Sequence, residues 1–279
     1  MLTLNQIFRF ISKYILISLI LLSNLFALQI GDQAPNFTTQ STKGEINFYD
    51  WVGENWVIIF SHPAAFTPVC TTELATLAKL QPEFKKRKVK VVTLSADSVK
   101  DNLEWIPLIN KYKEKLMLKS SLGEKITNFG ENNDVNFPIL VDDNLKISTI
   151  YGMYHPKAEP NGGVFGTKRK ETIRSVFIID PKKNIQTILI YPKNIGRNFN
   201  EILRIVDALK ISKKYKVSTP ANWENGSDVI VPSSMVDEAI EENYGTLTNT
   251  RDFELFRTIK QPGKIDEIKG RNPSGPKKW

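Results

Sequence analysis

Short apolar runs that alternate with helical patterns constrain the fold of this chain more than any other sequence feature. Four runs are rich in β-branched and aromatic residues, and most of them are nearly continuously apolar, as expected of strands buried on both faces of a sheet. These runs are Trp56–Phe60, Val89–Leu94, Pro138–Val141 and Ser175–Ile179. Helical spacing of apolar residues is found at Thr71–Phe84, Val99–Tyr112, Lys146–Tyr151 and Phe199–Leu209. The alternation predicts an α/β fold with a layered sheet.

The last part of the sheet is predicted to be an antiparallel hairpin covered by a helix. Asp180–Asn184 contains turn residues and leads into the apolar run Ile185–Tyr191, a pattern typical of a hairpin. Residues 113–136 are polar and lack a strong period. We therefore expect an excursion or a lid-like loop there.

The composition changes after Lys216. A short strand is predicted at Asp228–Val231 and a helix near Met235–Asn243, followed by a basic tail rich in proline and glycine. This is too little to form a large core of its own, so we divide the chain into a domain at residues 29–216 and an appended module at residues 217–279. The module is expected to pack against the domain or against a second subunit.

The first 28 residues are treated apart from the fold. Arg9 and Lys13 precede the apolar run Tyr14–Leu28, which is typical of a signal peptide and shorter than the ~20 residues of a spanning helix. We expect a cleaved export signal, with a retained membrane anchor or a buried core helix as alternatives, because Leu25 disfavours cleavage after Ala27. The expected location is a secretory-pathway lumen or the periplasm, with membrane contact only through this segment.

The net charge of +8 raises the question of nucleic-acid binding. Basic clusters occur at Lys85–Lys88, Lys168–Lys170 and Lys213–Lys216. Two of them lie near the ends of predicted helices, where cations complement the helix dipole. We therefore interpret them as solvated surface and expect no nucleic-acid partner.

The chain contains a single cysteine, Cys70, which cannot form an intrachain disulfide or supply several ligands to a metal. Thr67 and Pro68 have the pattern of a helix start, which places Cys70 at the third helical position. Backbone N–H groups and the helix dipole favour a thiolate over a thiol at that position. An inert buried cysteine is the alternative, but this context favours a nucleophile without identifying its electrophile.

The stretch from Ser61 to Leu74, SHPAAFTPVCTTEL, resembles the active site of the one-cysteine peroxiredoxins, the peroxiredoxin-6-like subfamily of the alkyl hydroperoxide reductase/thiol-specific antioxidant family. Its core is the pattern PxxxTxxC. Further motifs occur in the family's order on both sides of this stretch. They are Gly31–Phe37 before it and Ser95–Val99, Asp101–Trp105, Phe137–Ile139, Arg174–Phe177, Gly196–Arg204 and Thr219–Trp223 after it. The resemblance implies a thioredoxin-like fold with a small C-terminal dimerisation module. It also implies an antioxidant thiol peroxidase that acts on hydrogen peroxide and organic hydroperoxides without a metal or another cofactor.

The resemblance assigns a catalytic role to each residue of the motif. Cys70 would attack the peroxide O–O bond and become a sulfenic acid. The hydroxyl of Thr67 would orient the peroxide, and Pro63 would shield the thiolate. Arg174 would stabilise both the thiolate and the developing negative charge.

Three further residues match positions near the family's active site. Glu73 and Arg197 match residues that support the catalytic groups, although each alone could be an ordinary surface ion. His62 matches a residue considered both for the substrate pocket and for lipid headgroup contact. A purely structural histidine is the alternative.

The chain also departs from the family in ways that affect its expected function. Because no second cysteine is present, an external thiol such as glutathione or thioredoxin must reduce the sulfenic acid. Asn55 occupies the position of a lipase serine, so phospholipase activity is not expected. Ala65 replaces a common acidic residue, and Asn102 stands where a histidine is frequent.

The sequence leaves two other functions open, a noncatalytic peroxide sensor and an oligomeric holdase chaperone. In the family the C-terminal segment packs across a two-fold axis, so the resemblance implies at least a homodimer.

Overall fold

The computed structural model describes residues 27–118, 134–154, 161–162, 168–169, 171–235, 237–244, 249–253 and 256–263. Most of the apolar run predicted as a targeting segment, through residue 26, lies outside this part of the chain.

The described part of the chain contains every strand and helix predicted above, together with several short strands and one short helix that the sequence pattern did not predict. The strands are β1 (Thr38–Ser41), β2 (Gly44–Asn47), β3 (Trp56–Ser61), β4 (Val89–Ser95), β5 (Ile139–Val141), β6 (Asn161–Gly162), β7 (Lys168–Arg169), β8 (Arg174–Ile179), β9 (Ile185–Tyr191), β10 (Val229–Val231), β11 (Asn249–Phe253) and β12 (Phe256–Ile259). The helices are α1 (Phe48–Val52), α2 (Pro68–Lys86), α3 (Val99–Leu118), α4 (Lys146–Ile150), α5 (Phe199–Tyr215) and α6 (Asp237–Tyr244).

Seven of the strands form one mixed sheet in the order β2-β1-β5-β4-β3-β8-β9. Strands β3, β4 and β5 are parallel neighbours, whereas β8 and β9 continue the sheet as antiparallel strands. The predicted layered sheet and its terminal hairpin are therefore confirmed. The hairpin of β1 and β2 was not predicted, because its strands are short and mostly polar and lack an apolar run.

The central strands are buried on both faces. Along β3, Ile58 and Phe60 point into a core shared with α2, α3 and α5. Val57 and Ile59 point into a second core on the opposite face of the sheet. Successive side chains of a strand alternate between faces, so a nearly continuous apolar run is what two covered faces require.

The predicted lid-like loop at residues 113–136 is wrong over its first part, because α3 continues to Leu118. Lys113 is buried, and its Nζ donates to Oδ1 of Asp134 at 2.7 Å. Lys113 is therefore buried with a charged partner that is distant in the sequence, and the periodicity of apolar residues could not predict this ion pair. Residues 119–133 lie outside the described part of the chain.

Side chains of the C-terminal part form a small separate core, which packs against the last turns of α5. Trp223, Val229 and Ile259 pack with Ile211 of α5. Strands β10, β12 and β11 form an antiparallel sheet. The predicted short strand and helix of this module are confirmed.

A set of ion pairs anchors the carboxyl end of α2 to α5. The guanidinium of Arg87 donates to both carboxylate oxygens of Asp207, at 2.6 and 2.9 Å, and to Glu83 at 2.6 Å. The ammonium of Lys210 donates to the carbonyl of Arg87. Burial lowers the pKa of Lys210 from the ordinary 10.5 to about 8.

We predict that the substitution Lys210→Met removes a pH-dependent part of the stability. Above about pH 8 the Lys210 amine is neutral in the folded protein, whereas the unfolded chain still binds a proton until its ordinary pKa. The unfolded state therefore holds more protons in this range, and the free energy of unfolding contributed by Lys210 rises with pH. Urea unfolding of both proteins at pH 7.5, 8.5 and 9.5, as test values across this window, measures the difference.

The matched control is Lys100→Met, because the Lys100 side chain is 83% exposed. Its pH dependence should follow that of the unmodified protein. Parallel curves for the unmodified protein and Lys210→Met would contradict the prediction.

Candidate active site

The strand β3 and the helix α2 place Cys70 at a strand-to-helix junction. The chain leaves β3 at Ser61 and begins α2 at Pro68, with Thr67 in an extended N-cap conformation. The predicted helix start is confirmed. The Thr67 hydroxyl, however, donates to the carbonyl of Ala64 at 2.9 Å instead of capping the helix.

The thiol of Cys70 contacts a buried guanidinium. Nη1 of Arg174 donates to Sγ of Cys70 at 3.3 Å, and both residues are buried. Arg174 begins β8, and because Phe60 pairs with Val176 across β3 and β8, Arg174 lies beside the loop that follows β3. Its Nε donates to the carbonyl of Lys193 at 2.7 Å. The guanidinium is therefore also held by the backbone that follows β9.

Glu73 lies one turn after Cys70 and binds two arginines. Its Oε2 accepts hydrogen bonds from Arg174 and from Arg197, each at 2.7 Å. Its Oε1 accepts from the backbone N–H and from Nε of Arg197, at 2.8 and 3.0 Å. We call Glu73, Arg174 and Arg197 the ionic cluster.

The ionic cluster carries a net charge of +1 in a site where all three side chains are buried. An isolated buried charge is unfavourable unless a counterion neutralises it. A thiolate at Cys70 would bring the sum of these charges to zero. The electrostatics of the site can therefore stabilise the reactive form of the cysteine.

The fold places His62 and Pro63 in the loop between β3 and α2, and both are buried. The backbone N–H of His62 donates to the carbonyl of Leu94 at 2.9 Å, and its carbonyl accepts from the hydroxyl of Thr172 at 2.7 Å. Its ring lies 5.5 Å from the ring of Trp105, measured between centroids. These contacts place His62 in the packing behind the loop.

The two departures from the family motif are accommodated by backbone contacts. The backbone N–H of Ala65 donates to Oδ2 of Asp97 at 2.6 Å. Nδ2 of Asn102 donates to the carbonyl of Ser98 at 3.0 Å. The Asp97 carboxylate thereby holds the loop without using the side chain at position 65.

Asn55 has a structural contact at the position of the missing lipase serine. Its Nδ2 donates to the carbonyl of Val52 at 3.0 Å. This bond joins Asn55 to the end of α1. An amide engaged in this way supplies no nucleophile for ester hydrolysis.

Sequence reasoning missed three residues that contact the active-site loop or its helix, Asp97, Trp105 and Thr71. Nε1 of Trp105 donates to Oγ1 of Thr71 at 3.1 Å. Asp97 and Trp105 lie in motifs that resemble the family, and this resemblance could have marked them as candidates. The spacing of the motifs did not indicate which residues they contact. Among the described residues, no group of three or more histidine, cysteine, aspartate or glutamate side chains could hold a metal ion.

The chain is similar to curated one-cysteine peroxiredoxins over most of its length. It is 42% identical to a 1-Cys peroxiredoxin of Dictyostelium discoideum over 211 residues, which cover 76% of each chain. It is 38% identical to a mitochondrial peroxiredoxin of Saccharomyces cerevisiae over 233 residues, 84% of this chain and 82% of that protein. It is 40% identical to peroxiredoxin-6 of Gallus gallus over 81% of this chain and 92% of that protein.

Solved structures show the same relationship. A yeast mitochondrial 1-Cys peroxiredoxin superposes with a TM-score of 0.69 at 39% identity, covering 84% of this chain and 99% of the other. A cysteine-to-serine mutant of peroxiredoxin 6 from Arenicola marina gives a TM-score of 0.70 at 33% identity, with 85% and 99% covered. The predicted thioredoxin-like fold is confirmed by these comparisons.

The location expected from the sequence, an exported protein in a secretory lumen or the periplasm, is wrong. The yeast relative that aligns with 84% of this chain is a mitochondrial peroxiredoxin. A basic start without acidic residues is common to several classes of targeting segment, so the pattern alone did not separate them. Membrane contact through residues 1–28 gains no support, because residues 1–26 lie outside the described part. No helix in the described ranges is long and apolar enough to cross a membrane.

Two family models match consecutive parts of the chain. Residues 30–188 match the AhpC/TSA family, and residues 208–245 match the C-terminal domain of 1-Cys peroxiredoxin. Together with the identities above, these matches extend the resemblance from the cysteine motif to both parts of the chain. The chain therefore belongs to the one-cysteine peroxiredoxins, which are thiol peroxidases of the AhpC/TSA family.

Proposed function

We propose that Cys70 is the peroxide-reducing nucleophile and that Arg174 stabilises its thiolate. The observation that carries this assignment is the 3.3 Å contact between Nη1 of Arg174 and Sγ of Cys70 in the first turn of α2. The thiolate attacks one peroxide oxygen, an S–O bond forms and the O–O bond breaks. The departing oxygen takes a proton and leaves as water or an alcohol, and Cys70 becomes a sulfenic acid.

Thr67 and Pro63 complete the proposed catalytic group. Thr67 lies in the same loop-to-helix junction as Cys70 and is partly exposed. Its hydroxyl oxygen donates to Ala64 and keeps acceptor capacity for the O–H of a hydroperoxide. Pro63 is buried and shields the thiolate from water without adding a backbone donor. His62, Glu73 and Arg197 are proposed to support these four residues.

An external thiol is proposed to complete the cycle, because Cys70 is the only cysteine in the chain. A thiol attacks the sulfenic acid, giving a mixed disulfide and water, and a second thiol then releases the Cys70 thiol by disulfide exchange. The solved structure of the yeast mitochondrial 1-Cys peroxiredoxin describes a thiol resolving mechanism that uses the glutathione and thioredoxin systems. That similarity supports one of these two systems as the reductant here.

We further propose a homodimer, with a peroxidase domain at residues 29–216 and a C-terminal module at residues 217–279. β9 is the outer strand of the seven-stranded sheet, and Ile190 on it is 65% exposed. An open strand edge with an exposed apolar side chain is suited to pairing with a second copy.

The substitution Arg174→Met should lower the second-order rate constant for hydrogen peroxide by about 10²-fold. The variant loses a fixed cation beside the thiolate and the developing anion, an effect of the size seen when one oxyanion donor is removed. Single-turnover quenched flow with trapping of the sulfenic acid measures the rate. Lys193→Met is the matched control, because it removes a nearby exposed cation and keeps the carbonyl that binds Arg174.

The control variant should react at a rate close to that of the unmodified protein, and Cys70→Ser should form no sulfenic acid. An Arg174→Met variant that reacts as fast as Lys193→Met would refute the role of Arg174. Sulfenic acid formation in Cys70→Ser would refute the assignment of the nucleophile.

The substitution Glu73→Gln should lower the free energy of unfolding by about 3 kcal/mol, because it leaves two buried guanidinium groups without their carboxylate. Equilibrium unfolding in urea measures this change. Glu201→Gln is the control, since Glu201 pairs with Arg204 at a more exposed site and should contribute less than about 1 kcal/mol. Equal effects of the two substitutions would contradict the supporting role of Glu73.

The substitution Ile190→Lys should convert the proposed dimer into a monomer, because a charged side chain on an outer strand opposes edge pairing. Sedimentation velocity should show about twice the chain mass of 31.8 kDa for the unmodified protein. Ile150→Lys changes a 52% exposed residue of α4 and should remain dimeric. A dimeric Ile190→Lys protein would exclude this edge as the contact, and a monomeric unmodified protein would exclude the dimer.

A further inference from the structure

A chain of hydrogen bonds connects α3 to the first turn of α2. Nε1 of Trp105 donates to Oγ1 of Thr71 at 3.1 Å, and that hydroxyl donates to the carbonyl of Thr67 at 2.8 Å. The same carbonyl accepts the backbone N–H of Thr71 at 2.9 Å. Cys70 lies between the two threonines. We call Trp105, Thr71 and Thr67 the Trp105 relay.

The indole of Trp105 also packs against the loop that precedes Cys70. Its ring centroid lies 5.5 Å from that of His62 and 6.2 Å from that of Phe66. Trp105 is fully buried. One side chain of α3 therefore contacts residues on both sides of Cys70 along the chain.

The loop has a backbone conformation that needs such support. Phe66 has a φ of 60°, in the left-handed region where a bulky side chain is strained. A strained residue persists when its surroundings determine its position. The contact between the rings of Phe66 and Trp105 is one of the contacts that hold Phe66 in this conformation.

Cys70 is 0% exposed. This burial affects the reaction of Cys70 with peroxide and the reaction of its sulfenic acid with a reducing thiol in different ways. A peroxide is small, and its reaction depends on the position of the thiolate beside Arg174. A reducing thiol must bring its sulfur into contact with Sγ of Cys70, so the first turn of α2 must open. The contacts that keep this turn closed therefore favour the reaction with peroxide and oppose the reaction with the reducing thiol.

We propose that Trp105 is a positioning residue that holds the first turn of α2 closed through the Trp105 relay. It sets the balance between reaction with peroxide and reaction with the reducing thiol. The second part rests on the external thiol proposed above.

The test compares Trp105→Phe, which keeps a packed ring and removes the N–H donor, with Thr71→Val, which removes the hydroxyl. Quenched flow with mass spectrometry measures the rate of sulfenic acid formation with hydrogen peroxide. It also measures the rate at which preformed sulfenic acid becomes a mixed disulfide with glutathione. In both variants the first rate should fall, and the second should rise, by about two- to tenfold, the range for loss of one hydrogen bond.

The chain offers a matched control for each substitution. Trp223→Phe removes another buried indole donor, which binds the carbonyl of Ser227 at 3.1 Å in the C-terminal module. Thr76→Val removes a hydroxyl that donates to the carbonyl of Thr72 at 2.8 Å, farther along the same helix. Neither control should move the two rates in opposite directions. If both rates fall together in Trp105→Phe and Thr71→Val, or change no more than in the controls, the positioning role is refuted.

The double variant Trp105→Phe/Thr71→Val gives a further check. Because both residues act through one relay, its peroxide rate should differ little from that of either single variant. Multiplicative losses would show that the two residues act independently and would overturn the relay.

Hydrogen exchange separates this inference from the choice of reductant. In the reduced protein, the backbone amides of Thr67 and of residues 69–74 should exchange faster in Trp105→Phe than in Trp223→Phe. Unchanged exchange would overturn the positioning role. Faster exchange together with a lower peroxide rate, but with no glutathione adduct in any variant, would support the positioning role and count against glutathione as the thiol.

Discussion

The active site depends on one buried carboxylate that holds two guanidinium groups. Glu73 binds Arg174, which contacts Cys70, and Arg197, whose Nη1 donates to the carbonyls of Ser61 and Ser175 at 2.9 and 3.0 Å. The ionic cluster thus joins α2 to the ends of β3 and β8. The carboxylate that holds Arg174 beside the sulfur therefore also ties α2 to two inner strands of the sheet.

The charge of the cluster connects stability with reactivity. Two buried cations and one buried anion leave a positive charge whose desolvation is unfavourable. A thiolate at Cys70 relieves this imbalance at the place where a nucleophile is needed. Strained or unbalanced groups are common at functional sites because the surrounding structure supports them. Here the support comes from carbonyls and a carboxylate on three separate elements.

The sequence predicted the parts of the molecule whose causes are local. Apolar runs identified the buried strands, and Thr67 with Pro68 identified the start of α2. The motif spacing identified Cys70, but the direction of the Thr67 hydroxyl and the bond from Trp105 to Thr71 depend on packing between distant segments. Helix α3 continues past Lys113, which is buried and paired with Asp134, into a stretch whose polarity alone indicated a loop. Such long-range contacts leave no periodic trace in the sequence.

The anchoring of α2 at its far end determines what kind of motion the chain permits at Cys70. Arg87 joins the carboxyl end of this helix to Asp207 of α5, some 19 residues from its start, or ~28 Å of helix axis. Sliding of the whole helix along its axis would break this buried ion pair. Unwinding of the first turn would leave it intact, so a short local fluctuation exposes the sulfur at a lower energetic cost than movement of the whole helix.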